Sequence, residues 1–173
     1  MENIIKGKIL KYGDNINTDI ISPPQYMELS IGEAARYAMS AVDPDFHLQA
    51  GPEAIMVAGR NLGSGSSRET SPLTLKYLGL RVIVAEFFAR IFYRNCINVG
   101  LIPLACSEAG RIETGDALVI DLALGQIRNQ TKAETYGCDK IPDHIMKLIE
   151  QGGLVASLTH KFAAENNGQA KRS

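Results

Sequence analysis

Residues 54–105 decide the fold, and they read AIMVAGRNLGSGSSRETSPLTLKYLGLRVIVAEFFARIFYRNCINVGLIPLA. Three runs within this stretch are short and continuously apolar, at residues 54–58, 82–85 and 101–105. Such runs are typical of strands that are covered on both faces. Residues with helical spacing lie between the runs, and Gly79 stands where the first of these helices would end. The alternation of strand and helix with short links predicts a central parallel sheet.

The segments on either side predict further strands and one more helix. Residues 4–12 alternate apolar positions with basic or glycine positions, which indicates a half-buried strand. Two polar-apolar runs flank Gly125, at residues 118–124 and 126–131, and they predict an antiparallel hairpin. A helix is expected over residues 142–150.

The whole chain of 173 residues is short enough for one hydrophobic core. We find no repeat and no linker, so the sequence predicts a single domain over residues 1–173, with a polar tail from about residue 163.

Composition narrows the function classes. Charged residues make up 21% of the chain and the formal net charge is -1, which gives no electrostatic reason to expect nucleic acid or a membrane surface as partner. The first residues lack the basic and apolar pattern of a signal peptide, and no window of 18 apolar residues could span a bilayer. These features predict a cytoplasmic protein.

The three cysteines, Cys96, Cys106 and Cys138, are odd in number and widely spaced. They predict neither a disulfide framework nor a zinc site, and they favour a reducing compartment. An iron–sulfur cluster needs three or four cysteine ligands at recognisable spacing. We therefore predict that this chain supplies no metal ligands.

A loop rich in glycine and serine follows the strand at residues 54–58, and it continues into Arg68 and Glu69. Its glycines allow a tight turn and a close approach to a ligand. Unpaired amides at a helix start carry a partial positive charge, and the guanidinium of Arg68 suits a carboxylate or phosphate. Ser66 and Ser67 lie beside these donors, so the loop predicts an anion-binding corner in which a serine alkoxide could be stabilised.

Two other interpretations of this loop stay open. Ser66 or Ser67 could simply cap the helix while Arg68 pairs with an acidic neighbour. The chain could also be a nucleotide-binding module, since Glu86 ends the next strand at a suitable distance. A dinucleotide fingerprint, however, needs glycine where Arg68 stands, and the Gly-Lys-Ser or Gly-Lys-Thr of a phosphate loop is absent.

Four motifs together resemble one family. They are Asn-Thr-Asp at residues 17–19, Gly-Ser-Ser-Arg-Glu at 65–69, Ala-Arg-Ile-Phe-Tyr-Arg-Asn at 89–95 and Ile-Asn-Val-Gly-Leu at 97–101. In this order and spacing they resemble the swivel domain of aconitase-type enzymes, over roughly residues 5 to 105. The chain length resembles the stand-alone small subunits of isopropylmalate dehydratases and related two-chain hydro-lyases. The resemblance implies a three-layer β/β/α swivelling domain with a central parallel sheet and a second antiparallel sheet.

The resemblance also implies a mechanism and a partner. A large subunit would carry a [4Fe-4S] cluster, and the substrate would be a small branched 2-hydroxy dicarboxylate that is dehydrated and rehydrated. Ser66 would be the catalytic base, and Gly65, Ser67 and Arg68 would bind a substrate carboxylate. Asp19 would pair with a histidine of the large subunit that handles the departing hydroxyl. A scaffold without catalytic residues is the remaining alternative, and it predicts that substitutions of Ser66 and Arg68 leave activity intact.

The segment at residues 27–29 departs from the family pattern. Several isopropylmalate and homoaconitate enzymes carry an arginine near the position of Glu28, where it recognises the variable end of the substrate. A carboxylate there repels an acidic substituent, and Met27 and Leu29 are candidate contacts for an apolar one. The departure favours an isopropyl-type group over homoaconitate and leaves dimethylmalate and citramalate open.

Overall fold

The computed structural model describes residues 3–170, which form an α/β fold around a seven-stranded mixed sheet in the order β4-β3-β2-β1-β5-β6-β7. The strands are β1 (Ile4–Lys11), β2 (Ala54–Ala58), β3 (Val82–Ala85), β4 (Ile102–Ala105), β5 (Leu118–Asp121), β6 (Gln126–Asn129) and β7 (Glu134–Gly137). The helices are α1 (Thr18–Ile21), α2 (Ile31–Ala34), α3 (Phe46–Gln49), α4 (Thr70–Tyr77), α5 (Arg90–Val99), α6 (Asp143–Glu150) and α7 (Leu154–Ala170).

Strand β1 belongs to two sheet sections at once. Its second half pairs in parallel with β2, from Lys8 opposite Ala54, and its first half pairs antiparallel with β5, from Ile4 opposite Asp121. The predicted central parallel sheet and second antiparallel sheet are confirmed as these two sections. They are continuous, because an eight-residue strand is long enough to pair with a different neighbour along each half.

Two apolar clusters explain the layering. Alternate residues of β2 point to opposite faces, so that Met56 packs in the cluster under α4 and α5 while Ile55 and Val57 pack in the other cluster. The second cluster includes inward residues of the antiparallel section, such as Ile120 and Ile127. The parallel section therefore lies between a helical layer and the antiparallel section, which is the predicted β/β/α arrangement.

The structure adds elements that the sequence did not predict. A short helix, α1, begins within the Asn-Thr-Asp motif, and β7 was not predicted because only Tyr136 of its four residues is buried. The polar tail predicted from about residue 163 is helical through Ala170, while its last three residues lie outside the described range. Across residues 3–170, no helix has both the length and the apolar character needed to cross a membrane.

Candidate active site

The candidate site lies where β1 and β2 end. Carboxyl ends of adjacent parallel strands meet at one edge of a sheet, and ligands commonly bind there. The chain leaving β1 enters α1, which is capped by the side chain of Asn17 through a bond from the amide of Ile20 at 2.9 Å. This cap places Thr18 and Asp19 in the first turn, beside the loop at residues 63–69 that follows β2.

Thr18 forms two hydrogen bonds to the glycine-serine loop and one to the first turn of α4. Its amide donates to the carbonyl of Ser64 at 2.9 Å, and its Oγ1 accepts from the amide of Ser66 at 2.9 Å. Its own carbonyl accepts from Ser71 Oγ at 3.1 Å. Gly65 has a φ of +108°, and a Cβ there would lie 3.0 Å from Thr18 Oγ1, so a side chain would crowd this clamp. Because Thr18 is buried, it fixes the path of the loop.

Helix α5 holds the same loop from the other side. The side-chain amide of Asn95 donates to the carbonyl of Ser67 at 3.0 Å, and Asn95 is buried. Gly63 packs so closely on Phe92 that a Cβ would overlap the ring. Sequence reasoning did not single out Thr18 or Asn95. Both are polar residues inside the motifs quoted above, Thr18 at residues 17–19 and Asn95 at residues 89–95. This position within a motif was the feature of the sequence that could have indicated their role.

Ser66 Oγ accepts a hydrogen bond from the backbone amide of Arg68 at 3.3 Å. This donor is aimed at the oxygen on which negative charge would develop, as alkoxide stabilisation requires. Helix α4 begins only at Thr70, and its cap residue Glu69 forms no side-chain capping bond. The interpretation of Ser66 or Ser67 as a helix cap is therefore wrong.

Arg68 joins the two loops of the site. Its Nη2 donates to Asp19 Oδ1 at 2.5 Å, and its Nη1 contacts the sulfur of Met27. Its Nε is buried and has no acceptor among residues 3–170. The acidic neighbour considered as an alternative thus exists, and it is Asp19. The guanidinium therefore keeps one donor without an acceptor in the described part of the chain.

The remaining predicted residues lie around this centre. Gly65 and Ser67 are exposed in the loop itself, and Met27 touches Arg68. Glu28 and Leu29 are exposed, and within residues 3–170 no hydrogen bond or ion pair links either side chain to the centre. The structure therefore brings together four of the predicted residues, Asp19, Ser66, Arg68 and Met27. Glu28 and Leu29 are near this centre only because they follow Met27 in the sequence.

The cysteines do not fit a shared iron–sulfur cluster. Cys96 packs in the core on the helical side of the sheet, whereas Cys106 and Cys138 pack on the opposite side. Burial raises the pKa of the Cys96 and Cys106 thiols, and it raises the pKa of Cys138 to about 11, which disfavours the thiolates that bind iron. Among residues 3–170, no group of three or more His, Cys, Asp or Glu side chains could hold a metal ion.

Glu86, the residue that suggested a nucleotide site, lies in an ion pair with Arg60, at 3.4 Å. Because Glu86 is already paired with Arg60, it is less suited to bind a nucleotide. The glycine-serine loop is likewise already bonded to Thr18 and Asn95. Both observations disfavour the nucleotide-binding alternative.

Comparison with known proteins identifies the family. The model described as Aconitase C-terminal domain matches residues 2–109. The chain belongs to the aconitase C-terminal domain family. This confirms the resemblance to aconitase-type swivel domains that the four motifs indicated.

Relatives within the aconitase C-terminal domain family cover almost the whole chain. The "Isopropylmalate/citramalate isomerase small subunit" of Methanocaldococcus jannaschii is 43% identical over 94% of this chain and 98% of its own. The "3-isopropylmalate dehydratase small subunit" of Clostridium beijerinckii is 42% identical over 91% of this chain and 99% of its own. The "Methanogen homoaconitase small subunit" of Methanothermobacter thermautotrophicus is 45% identical over 90% and 91%.

A solved structure agrees with this assignment. The crystal structure of 3-isopropylmalate dehydratase from Methanocaldococcus jannaschii superimposes with a TM-score of 0.87 at 37% identity, covering 95% of this chain and 99% of that one. A chain named as a small subunit belongs to an enzyme of more than one chain. The names of these relatives therefore imply that each has a large-subunit partner.

Proposed function

We propose that the chain is the small subunit of a cytoplasmic two-chain hydro-lyase that interconverts 2-isopropylmalate and 3-isopropylmalate, a step of leucine biosynthesis. One observation carries the proposal. Arg68 binds Asp19, and its backbone amide binds Ser66, so that the residues proposed as base, carboxylate clamp and acidic partner, which come from two separate motifs, meet at one sheet edge. The names of the relatives support the same reaction class.

In the proposed mechanism Ser66 removes the proton from the carbon next to the departing hydroxyl and returns it during rehydration. A free serine hydroxyl is a poor base near neutral pH. Here the backbone amide of Arg68 already points at Ser66 Oγ, so that it stabilises the alkoxide once the site is closed to water. Thr18 and Asn95 hold the loop, which keeps that geometry fixed before substrate binds.

Arg68 changes partner during the cycle. Without substrate its charge is balanced by Asp19, and both side chains are partly exposed. An arriving substrate carboxylate takes the guanidinium fork, with the hydroxyl of Ser67 as a second donor and Gly65 leaving room for the approach. Asp19 is then released to pair with the large subunit's histidine that handles the hydroxyl.

The large subunit completes the chemistry that this chain lacks. The Lewis acid for the departing hydroxyl would be a [4Fe-4S] cluster held entirely by that partner. The positions of Cys96, Cys106 and Cys138 on opposite sides of the sheet support this division. We therefore expect the isolated chain to be inactive.

The substrate assignment rests on the segment around Met27. The thioether of Met27 touches Arg68, so an apolar group lies next to the proposed carboxylate clamp. Glu28 follows as an exposed carboxylate, which repels a substrate with a further acidic group. Both features favour an isopropyl substituent. A citramalate-type or homoaconitate-type substrate is the second candidate, because relatives with those names match equally well.

The test is reconstitution with the large subunit of the same organism. We expect Ser66→Ala to lower kcat about 10³-fold, because a general base contributes on this order. Assembly with the large subunit should be unchanged, since the Ser66 amide bond to Thr18 survives the substitution. Ser157→Ala on α7, a serine away from the site, serves as the matched control and should keep full activity.

Two results would overturn the proposal. Turnover of Ser66→Ala close to that of the wild type would remove the base assignment and favour a scaffold. Among substrates, 2-isopropylmalate should give the highest kcat/KM in a panel with citramalate, dimethylmalate and homoaconitate. A preference for homoaconitate would show that Glu28 does not select against an acidic substituent.

A further inference from the structure

An exposed aromatic side chain lies close to the candidate site but outside it. Phe87 follows β3 and leaves 62% of its surface open to solvent, whereas the next residue, Phe88, is only 6% exposed. The ring of Phe87 borders a surface cleft of about 470 Å³ that is otherwise lined by Arg60, Asn61, Glu86 and Ser107. Large exposed aromatic groups beside a cleft are characteristic of protein-binding surfaces.

The cleft lies on the same sheet edge as the candidate site. Arg60 follows the end of β2, Glu86 directly follows β3, and Ser107 follows the end of β4. All three are therefore at carboxyl ends of the parallel section, where the loop at residues 63–69 also begins.

The backbone of Phe87 is fixed to the segment between β2 and this loop. Its carbonyl accepts from the amide of Leu62 at 3.0 Å, and the amide of Ala89 donates to the carbonyl of Leu62 at 2.8 Å. Leu62 is immediately followed by Gly63 and the glycine-serine loop. The ring is thus presented from a rigid segment, and none of these bonds uses the side chain of Phe87.

We propose that Phe87 and the cleft beside it form a docking surface for the large iron–sulfur subunit. The inference rests on the proposed function for the existence of that partner. A partner that closes over Ser66 must cover this edge of the sheet. Ser66 is four residues from Leu62, a span of at most about 14 Å, whereas an interface of about 800 Å² per partner is roughly 30 Å across. Leu62 is bonded to the backbone of Phe87, so an interface of that size centred on Ser66 would reach Phe87.

The chemistry of the surface specifies what the partner presents. The ring of Phe87 calls for an apolar pocket, since burying it removes a large hydrophobic surface from water. Arg60 is mostly exposed although it pairs with Glu86, at 3.4 Å, and Arg90 at the start of α5 is also exposed. The pocket on the large subunit should therefore be bordered by carboxylates.

The experiment titrates the small subunit into the large subunit of the same organism and measures binding by calorimetry and activity in parallel. We expect Phe87→Ala to weaken assembly at least about tenfold, as truncation of an interface hot spot does. The value of kcat at saturating small subunit should stay within about twofold of wild type, because the backbone bonds to Leu62 remain. Phe87→Leu, which retains an apolar side chain, should lose less affinity than Phe87→Ala.

The matched control is Leu48→Ala. Leu48 is 74% exposed on α3, whose neighbour Gln49 contacts Lys8 at the amino end of the parallel pairing, away from the site edge. This variant should assemble like the wild type. Thermal unfolding of Phe87→Ala should match the wild type, since its side chain is mostly in water.

The outcomes separate this inference from the proposed function. Normal assembly of Phe87→Ala would overturn the docking surface even if Ser66→Ala is inactive. Weak assembly of Phe87→Ala would support it even if Ser66→Ala retains turnover, because binding is measured without catalysis. Loss of self-association in the isolated Phe87→Ala chain, with unchanged binding to the large subunit, would reassign the surface to a second copy and overturn the proposal.

Discussion

Two polar regions of the molecule are built in opposite ways. At the carboxyl edge of the parallel section, neutral groups do the holding: Thr18 and Asn95 bind the backbone of the loop that carries Ser66. The charged residue there, Arg68, has one carboxylate partner and a buried donor that no acceptor within residues 3–170 satisfies.

The antiparallel section carries a polar cluster of Glu113, Asp116, Asn129 and Lys132, here called the antiparallel cluster. Asp116 Oδ2 accepts from the side-chain amide of Asn129 at 2.7 Å and from the backbone amide of Glu113 at 2.9 Å. Lys132 donates to Glu113 at 3.0 Å and to the carbonyl of Arg111 at 2.6 Å. The charged side chains of the antiparallel cluster therefore bind one another and neighbouring polar groups.

The difference separates structure from function on physical grounds. A buried charge whose hydrogen bonds are all made has nothing to offer a ligand, and its loss costs stability. A charge held beside a loop by a single partner can exchange that partner for a ligand, provided that something neutral fixes the loop. The comparison therefore predicts that substitutions at the site edge change turnover, and that substitutions in the antiparallel cluster change stability.

Among substitutions that have a counterpart in the antiparallel section, the largest effect is expected for Arg68→Lys. Lysine keeps the charge but loses the planar fork that binds a carboxylate through two bonds. We expect kcat/KM of the reconstituted enzyme to fall by about 10²-fold, with little change in thermal unfolding. Steady-state kinetics with the large subunit measures this.

The control for Arg68→Lys is Arg111→Lys in the other region. Arg111 is also paired with carboxylates, Glu134 and Glu108, and its guanidinium lies 5.6 Å from the ring of Tyr136. Its substitution should leave kcat/KM unchanged. Equal losses of activity in the two variants would show that an arginine far from Ser66 affects turnover as much as Arg68 does. That result would contradict the proposed difference between the two regions.

The next effect is expected for Thr18→Val, which keeps the shape of Thr18 and removes its hydroxyl. The amide of Ser66 would lose its acceptor, so the loop would lose stability by about 1–2 kcal/mol and Ser66 would spend less time in position. As a positioning residue, Thr18 should affect kcat by about tenfold while KM stays nearly constant. Thr18→Ser should restore kcat, because it restores the acceptor.

Thr131→Val provides the matching test in the antiparallel section. Thr131 Oγ1 accepts from the amide of Ala117 at 2.9 Å, the same kind of bond as that between Ser66 and Thr18. Its loss should not alter kcat. A fall in kcat for Thr131→Val, or a rise in KM with unchanged kcat for Thr18→Val, would contradict the positioning role.

The sequence predicted the strands that are marked by a regular pattern of apolar residues. Strands β2, β3 and β4 were evident as continuous apolar runs, because a strand covered on both faces has no polar side. The motif resemblance placed Ser66, Arg68 and Asp19 at one site, and the structure brings these three together. Strand β7 was not evident, since it has one buried side chain and no apolar alternation.

Long-range contacts account for what the sequence did not show. The role of Thr18 depends on a partner 48 residues away, and that of Asn95 on one 28 residues away. Local propensity carries no signal for such bonds. The pairing of Arg68 with Asp19 was foreseen only as an unnamed acidic neighbour, because the contact depends on how β1 and β2 align.

The smallest effect, and the one specific to the antiparallel cluster, is the pH dependence of stability. Burial by itself would raise the pKa of Asp116, but hydrogen bonds from Glu113 and Asn129, and the charge of Lys132, outweigh burial and hold the pKa below its usual value. A lowered folded-state pKa means that the carboxylate stabilises the protein above the usual pKa of an aspartate, about 4. That stabilisation is lost as the pH falls through the lowered value.

Asp116→Ala should therefore destabilise the chain by about 1–3 kcal/mol near pH 7, because the groups that donate to Asp116 lose their acceptor. Urea unfolding should show this difference shrinking as the pH falls below about 4 and on through the lowered pKa, where Asp116 of the folded wild type becomes protonated. Asp116→Asn keeps an acceptor oxygen without the charge, so it should lose less stability near neutral pH, and its own stability should lack the pH dependence that Asp116 contributes to the wild type. A difference between wild type and Asp116→Ala that stays constant into acid would show that the charge of Asp116 contributes nothing, and that neutral bonds hold both regions alike.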